Sequence, residues 1–443
     1  MNPPTPPNVD TLIFARWIIP IEPAGVVLEH HALALSGGRI AALMPAAQAR
    51  AVRAERVLEL PEHALLPGLV NAHGHAAMSL LRGFADDVPL HAWLSDHIWP
   101  AEGRWVNEDF VRDGSQLAIA EMLRSGVTTF ADMYFFPQIT AQVAQDAGMR
   151  AQIHFPVFDF PSAWGRDADD YIAKGLQLRD DFKHSALVTI GFGPHAPYTV
   201  SDAPMSRVAT LAAELDAPLQ IHVHETRQEV EEALQRSGER PLARLQRLGL
   251  LGPRTMCVHA TELDAADIDL LARNNSHVVH CPESNLKLAS GFCPVQKLRE
   301  AGVNVALGTD GAASNNDLDL FGELRTAALL AKAVAGDASA LPAHAALHMA
   351  TLAGARALGL DERIGSLEPG KAADVIAVDL SDVETQPLYN PASQLVYGNS
   401  GSRVSHSWVA GRLLLEQRAP TGINVYELRE RARHWQRQIA GGQ

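Results

Sequence analysis

The residues best placed to do chemistry are two histidines, His73-Gly74-His75, closing the apolar run Leu65-Leu66-Pro67-Gly68-Leu69-Val70-Asn71-Ala72. In an extended strand, residues i and i+2 point to the same side, so the two imidazoles would project together as a pair of metal ligands. Similar residues recur at the ends of later apolar runs: Gly193-Pro194-His195, Gln220-Ile221-His222-Val223-His224-Glu225, Val258-His259 and Gly308-Thr309-Asp310-Gly311. Imidazole and carboxylate donors suit zinc or ferrous iron. His73, His75, His222 and Asp310 would surround one such ion, which would lower the pKa of a water towards neutrality. Asp310 is placed to accept that water's proton. Glu225, just past His222, would gain from burial the raised pKa of a proton shuttle to a substrate ring nitrogen. His259 could hydrogen-bond the attacking oxygen or the tetrahedral centre. His224 competes with His222 as ligand, and spacing alone leaves that choice open.

Each residue also has an ordinary reading. A lone strand-end histidine is commonly a satisfied polar group. Asp310 before Gly311 could make a turn, and Glu225 could be a charge favoured at a helix start. The coincidence carries the metal reading, because five of eight strand ends bear residues compatible with one ion.

Those strand ends imply a scaffold. Strand candidates fall at 65–72, 127–133, 149–157, 186–193, 218–224, 254–260, 276–281 and 303–309, rich in Val, Ile, Leu, Phe and Thr with little polar alternation. Strands buried on both faces read this way. Between them, 106–125, 138–148, 203–215, 226–248, 264–273 and 294–301 carry helical periodicity, and helices at 317–334 and 342–358 follow the last strand. The alternation predicts a (β/α)8 TIM barrel, whose chemistry collects at the C-terminal strand ends. Short strands broken by Gly and Pro lie before it (Thr11–Pro20, Gly25–Ser36, Gly38–Met44) and after it (Ala373–Asp379, Ser407–Glu416). They predict a small β-sandwich built from both ends of the chain. The expected division is 1–66 and 369–443 for that unit, with a charged helix at 424–439, and 67–368 for the barrel.

Composition narrows the partners. The chain has 443 residues, 47% hydrophobic and 20% charged, with a net charge of −14. That charge disfavours nucleic acid and anionic membrane surfaces. The start, Met-Asn-Pro-Pro-Thr-Pro-Pro, lacks the basic-then-apolar pattern of a signal peptide, and no apolar run is long enough to span a bilayer. Cys257, Cys281 and Cys293 form no metal or redox motif and fit buried positions in a reducing, cytoplasmic setting. The apolar helices at 317–358 leave room for a homodimer.

The stretches PGLVNAHGHAAMSLLRG, QIHVHET, CVHATEL, HCPESNLKLASG and LGTDGAASNNDLDLF, with KAADVIAVD at 371–379, resemble the amidohydrolase superfamily. The resemblance implies hydrolysis at a metal centre. Two-metal members carry a carboxylated lysine at the end of strand four. Gly191-Phe192-Gly193-Pro194-His195 has none, which implies one divalent metal, zinc or iron, with zinc favoured. Trp93, Glu102, GPHAPY around His195 and Gly165-Arg166 resemble the methylthioadenosine/S-adenosylhomocysteine deaminases. Carried over by position, Glu102 would accept hydrogen bonds from the ribose hydroxyls, Trp93 would pack beside the ribose and 5′ substituent, and His195 would contact the nucleoside. Glu225 would protonate adenine N1 as water attacks C6 and ammonia leaves.

One departure concerns the 5′ end. Of two arginines that face the S-adenosylhomocysteine carboxylate in the family, the first position counts to Phe155 and only Arg166 remains. An aromatic ring cannot replace a guanidinium fork. Phe155, Phe158 and Phe160 are expected to make an apolar loop that favours 5′-methylthioadenosine over S-adenosylhomocysteine, with S-adenosylhomocysteine and adenosine as further substrates of the same site. The rivals are a guanine-type deaminase, a triazine chlorohydrolase, or a metal-free scaffold protein. Glu102 speaks for a ribosyl substrate, Glu225 against chlorohydrolases lacking an acid there, and the intact donor set against a scaffold.

Overall fold

The structure, a computed structural model, describes residues 8–398 and 400–441. The proline-rich start and the last two positions of the C-terminal segment lie outside the described residues. Eight parallel strands run in sequence order: β5 (Leu69–Asn71), β6 (Val127–Asp132), β7 (Arg150–Val157), β8 (Val188–Pro194), β9 (Leu219–Val223), β10 (Thr255–His259), β11 (His277–His280) and β12 (Val305–Leu307). The first meets the last through Ala72 N–H to Leu307 O at 2.8 Å and a parallel bridge between Gly74 and Asp310. Asn71 ties the same seam with its side chain, to Thr309 N at 3.0 Å and Thr309 Oγ1 at 2.8 Å. The result is the expected barrel, and every one of its strands is buried along nearly its whole length, which is why the sequence shows no polar alternation.

The intervening helices bury one face against the strands. Helix Glu108–Arg124 starts where the Asn107 side chain accepts from the N–H groups of Asp109 and Phe110, and it buries Phe110, Ile119, Met122 and Leu123. The helix expected over 226–248 is two, Arg227–Ser237 and Pro241–Arg247. Gly238, at φ +69°, ends the first in the left-handed conformation, and Pro241 opens the second. The helix expected over 342–358 also divides, into Ala343–Met349 and Leu352–Ala357.

The second sheet has eight strands in the order β16-β15-β14-β13-β4-β1-β2-β3. β1 (Asn8–Ile18), β2 (Leu28–Ser36), β3 (Arg39–Pro45) and β4 (Arg53–Pro67) come from the first end, and β13 (Val375–Asp379), β14 (Val404–Val409), β15 (Arg412–Glu416) and β16 (Ala419–Pro420) from the other. The sheet curls on itself. Leu33, Leu35, Trp408 and Leu413 share one core cluster, and Ala373 N–H bonds to Gly38 O at 3.0 Å. The sequence reading missed most of β4 and ran its end into the first barrel strand. The chain changes sheets at Gly68, where a Cβ would lie 2.0 Å from Thr128 Oγ1. A buried pair, Arg150 Nε to Asp374 Oδ2 at 2.8 Å, pins this sheet to the barrel.

Candidate metal centre and active site

Three barrel strands deliver the donor set. His73 and His75 follow β5, His222 lies in β9, and Asp310 follows β12 in the left-handed region at φ +60°. Each of the three rings directs Nδ1 at an accepting oxygen: Gln220 Oε1 at 2.7 Å from His73, Met133 O at 2.6 Å from His75, and His195 O at 2.8 Å from His222. Nδ1 therefore carries the proton in the neutral rings and Nε2 is left with a lone pair. The Nε2 atoms of His73 and His222 face one another at 3.1 Å. Asp310 Oδ1 lies 3.4 Å from Nε2 of His73 and 3.2 Å from Nε2 of His75. Lone pairs this close repel unless a cation lies between them. Tetrahedral ligands about 2.0–2.1 Å from one ion stand roughly 3.3 Å apart, the spacing seen here. The donors therefore fit one divalent metal ion.

The electrostatics agree. Without an ion, one proton is held between His75 and Asp310: burial opposes it, but the Asp310 carboxylate raises His75 to about 9. Burial lowers His73 to about 4 and holds His222 well below the ordinary histidine range. A cation would take that proton's place. Asp310 Oδ2 accepts from Ser284 Oγ at 2.7 Å and Ser314 Oγ at 2.9 Å, which leaves Oδ1 to face the rings.

The choice between His222 and His224 is geometric. His224 lies past the end of β9 at φ +54°, so the strand alternation no longer applies to it. Its Nδ1 donates to Glu262 O at 2.9 Å and its Nε2 accepts from Leu242 N–H at 3.1 Å, on the helix side. Glu225 turns inward and is buried. Burial, with the charge of Asp310, pushes its carboxyl up to about 8, so it is protonated at neutral pH. His259 Nε2 lies 3.7 Å from Glu225 Oε1, and its Nδ1 bonds to Asn285 Oδ1 at 2.9 Å. At the end of the fourth barrel strand no lysine stands at 191–195, and Gly191 leaves room for the His154 ring, 2.8 Å from where a Cβ would sit.

These groups form the floor of a partly open cavity. Its outer wall comes from residues 76–105, inserted between β5 and the first barrel helix. Trp93 is buried there, donating Nε1–H to Ala85 O at 3.1 Å. Glu102, in helix Trp99–Trp105, accepts from Tyr134 Oη at 2.7 Å. Burial raises Glu102 to about 7 against the lowering effect of that bond. His195 also lines the cavity, its ring 4.8 Å from that of Phe158 and tilted 32° to it. Leu90, Leu94, Trp99 and Phe135 complete an apolar wall, and no Lys or Arg is among the lining residues.

One expected substrate contact, Arg166, and one member of the expected apolar loop, Phe155, are not brought to the cavity. The Arg166 side chain is 83% exposed, with Nε 3.5 Å from Asp170. Phe155 is fully buried on the outer face of β7, where alternation turns it away from the barrel interior. Its ring lies 4.8 Å from that of Phe192, and a Cβ on Gly175 would meet it at 2.3 Å. Phe155 therefore does not set the preference at the 5′ end of the substrate. The residues that sequence reasoning missed are Tyr134 and Gln220. Both carried a signal: Tyr134 follows the end of the second barrel strand, and Gln220 precedes His222 by two residues on the same face.

The amidohydrolase family model matches residues 64–414. The chain belongs to the amidohydrolase family. It is 53% identical over 433 residues to the 5-methylthioadenosine/S-adenosylhomocysteine deaminase of Teredinibacter turnerae, covering 98% of each chain. With the protein of the same name from Saccharophagus degradans it shares 54% over 431 residues, 97% of each. Among solved structures, an adenosine deaminase from Xanthomonas campestris with bound zinc superimposes at a TM-score of 0.97, with 51% identity over 98% of this chain and 100% of the other. Among the described residues, no helix is long and apolar enough to cross a membrane.

Proposed function

We propose that the chain is a metal-dependent hydrolase that deaminates adenine nucleosides, 5′-methylthioadenosine before others, to give 5′-methylthioinosine and ammonia. The observation that carries this reading is one cavity joining a convergent donor cluster, the buried Glu225 and the buried Glu102. The names of relatives at 53–54% identity over nearly the whole chain support it. His73, His75, His222 and Asp310 would hold one ion. Zinc is the reading adopted, supported by the zinc-bound relative, and ferrous iron fits the same donors. When bound, the ion supplies Lewis acidity that brings the pKa of water near neutrality.

The side chains do the rest. Glu225 gives its proton to adenine N1, which makes C6 electrophilic. Asp310 takes one proton from the attacking water and passes it to the departing amine; as ammonia leaves, the C6 hydroxyl proton passes to Glu225, which restores its acid form and leaves the 6-oxo group. His259, with Nδ1–H held by Asn285, offers Nε2 to the attacking oxygen. Glu102 has one oxygen on Tyr134 and the other free for the ribose hydroxyls. Trp93 and His195 flank the bound nucleoside.

The preference for the uncharged thioether rests on the apolar wall and the absence of a lining cation. Within this cavity a homocysteine carboxylate would find no guanidinium partner, whereas the adjoining pocket that shares Leu90, Leu94 and Trp99 carries Arg227 and Arg236. A screen of adenosine, 5′-methylthioadenosine, S-adenosylhomocysteine, guanine and cytosine tests the reading. The highest kcat/KM is expected for 5′-methylthioadenosine. A higher value for S-adenosylhomocysteine would sink the preference, and turnover of guanine alone would sink the nucleoside reading.

A further inference from the structure

Of the three imidazoles that converge on the donor cluster, two are held by main-chain carbonyls, Met133 O and His195 O. A side-chain substitution cannot remove those acceptors. Among the three imidazoles of the proposed ligand set, His73 alone is held by a side chain; His259, beside them, is held by Asn285 Oδ1. Gln220 Oε1 accepts from its Nδ1 at 2.7 Å, while Gln220 Nε2 donates to the carbonyl of Ala72 at 2.9 Å. The amide thus grips both the ring of His73 and the peptide that leads into it. The second contact also fixes which end of the amide faces the ring, and so which ring nitrogen keeps the proton. Gln220 and His73 are both fully buried. His73 belongs to both donor groups of the cluster, the one with His75 and Asp310 and the one with His222 and His259. Its orientation therefore bears on every other donor. Two residues before His222 on β9, Gln220 shares the inward face of that strand. One strand thus supplies one donor and the support of another.

We propose that Gln220 is a positioning residue for the metal centre: it fixes the tautomer and the angle of His73 and so governs how long the site retains its ion. This rests on the one-metal reading above. A partner of this kind both orients a ligand histidine and raises its basicity, and losing one typically costs about 10–100-fold in metal affinity. Gln220→Met keeps the volume and removes both hydrogen bonds. Gln220→Glu keeps an oxygen at this position that accepts from His73 Nδ1.

The test measures zinc release from the loaded full-length protein to an excess of a colorimetric chelator, beside thermal melts of the metal-free forms. Gln220→Met is expected to release zinc about 10–100-fold faster than wild type, and Gln220→Glu near the wild-type rate. Should the Met variant fail to fold, Gln220→Asn, whose shorter arm withdraws the oxygen from Nδ1, carries the same comparison. A folded Met or Asn variant that releases zinc at the wild-type rate overturns the role of Gln220. So does faster release by the Glu and Met variants alike, in step with lowered metal-free melting temperatures, since that is the mark of a structural role only. Wild-type protein that neither holds nor takes up zinc overturns the metal reading, and this inference with it.

Discussion

Glu225→Gln is the perturbation that separates proton delivery from binding. The side chain keeps its volume and can still donate an N–H to adenine N1, so KM is expected to change little. What is lost is the transferable proton. In the unloaded site burial and Asp310 hold the Glu225 carboxyl at about 8, so the acid form dominates at neutral pH. General acid catalysis by a positioned side chain is worth about 10²–10⁴-fold, or roughly 3–5 kcal/mol at about 1.36 kcal/mol per decade of rate. That is the fall expected in kcat, read from the ultraviolet absorbance change as adenine becomes hypoxanthine. The pH profile gives a second readout with a definite sign. The protonated form is the active one, so wild-type kcat should decline as pH rises through the Glu225 pKa. The charge of a bound ion draws that value down, which places the limb at or below about pH 8. The Gln variant should lack this limb. A kcat within tenfold of wild type, or an unchanged alkaline limb, would refute Glu225 as the acid.

Glu102→Gln should raise KM for nucleosides by about 10–100-fold, the worth of hydrogen bonds to a charged acceptor; unchanged KM would favour a free-base substrate. Tyr134→Phe removes the bond that lowers Glu102 from its burial-raised value, so the Glu102 pKa should rise from about 7. KM measured below that pKa should then worsen and recover at higher pH, whereas a shift of the KM profile to lower pH would contradict the assignment. Arg150→Met leaves the Asp374 carboxylate buried at the junction of sheet and barrel without its guanidinium, with the Ala410 N–H as its remaining donor. Urea unfolding should show a loss of about 3–5 kcal/mol, largely recovered in Arg150→Met/Asp374→Leu; a double variant no better than the single would argue against the pair.

The barrel and the donor set were legible because both follow from repeated local rules. Strands buried on both faces write continuous apolar runs, and ligands at their ends follow from where barrel chemistry collects. Position 68 was harder. Leu65–Asn71 is one apolar run in sequence but two strands in two sheets, and the divide depends on a tertiary contact with Thr128. The error over Phe155 has a similar cause. Counting along the chain located the strand but not its pleat, and a one-residue shift sends a side chain to the opposite face. Trp93 and Glu102 lie in an insertion of irregular helices, including a π-helical turn at Trp93–Ile98, where no periodicity announces which side faces inward. Gln220 and Tyr134 act through other residues. Their roles became visible only when Gln220 stood 2.7 Å from His73 and Tyr134 stood 2.7 Å from Glu102.

The central claim is that water displaces the amino group at C6 of an intact nucleoside. The most direct measurement is mass spectrometry of the product formed from 5′-methylthioadenosine in oxygen-18 water by the zinc-loaded protein, with ammonia assayed alongside. The account predicts 5′-methylthioinosine carrying one oxygen-18 at the 6-oxo position and one ammonia released per product. Free adenine, unlabelled product, or no turnover by protein shown to hold its metal would contradict it.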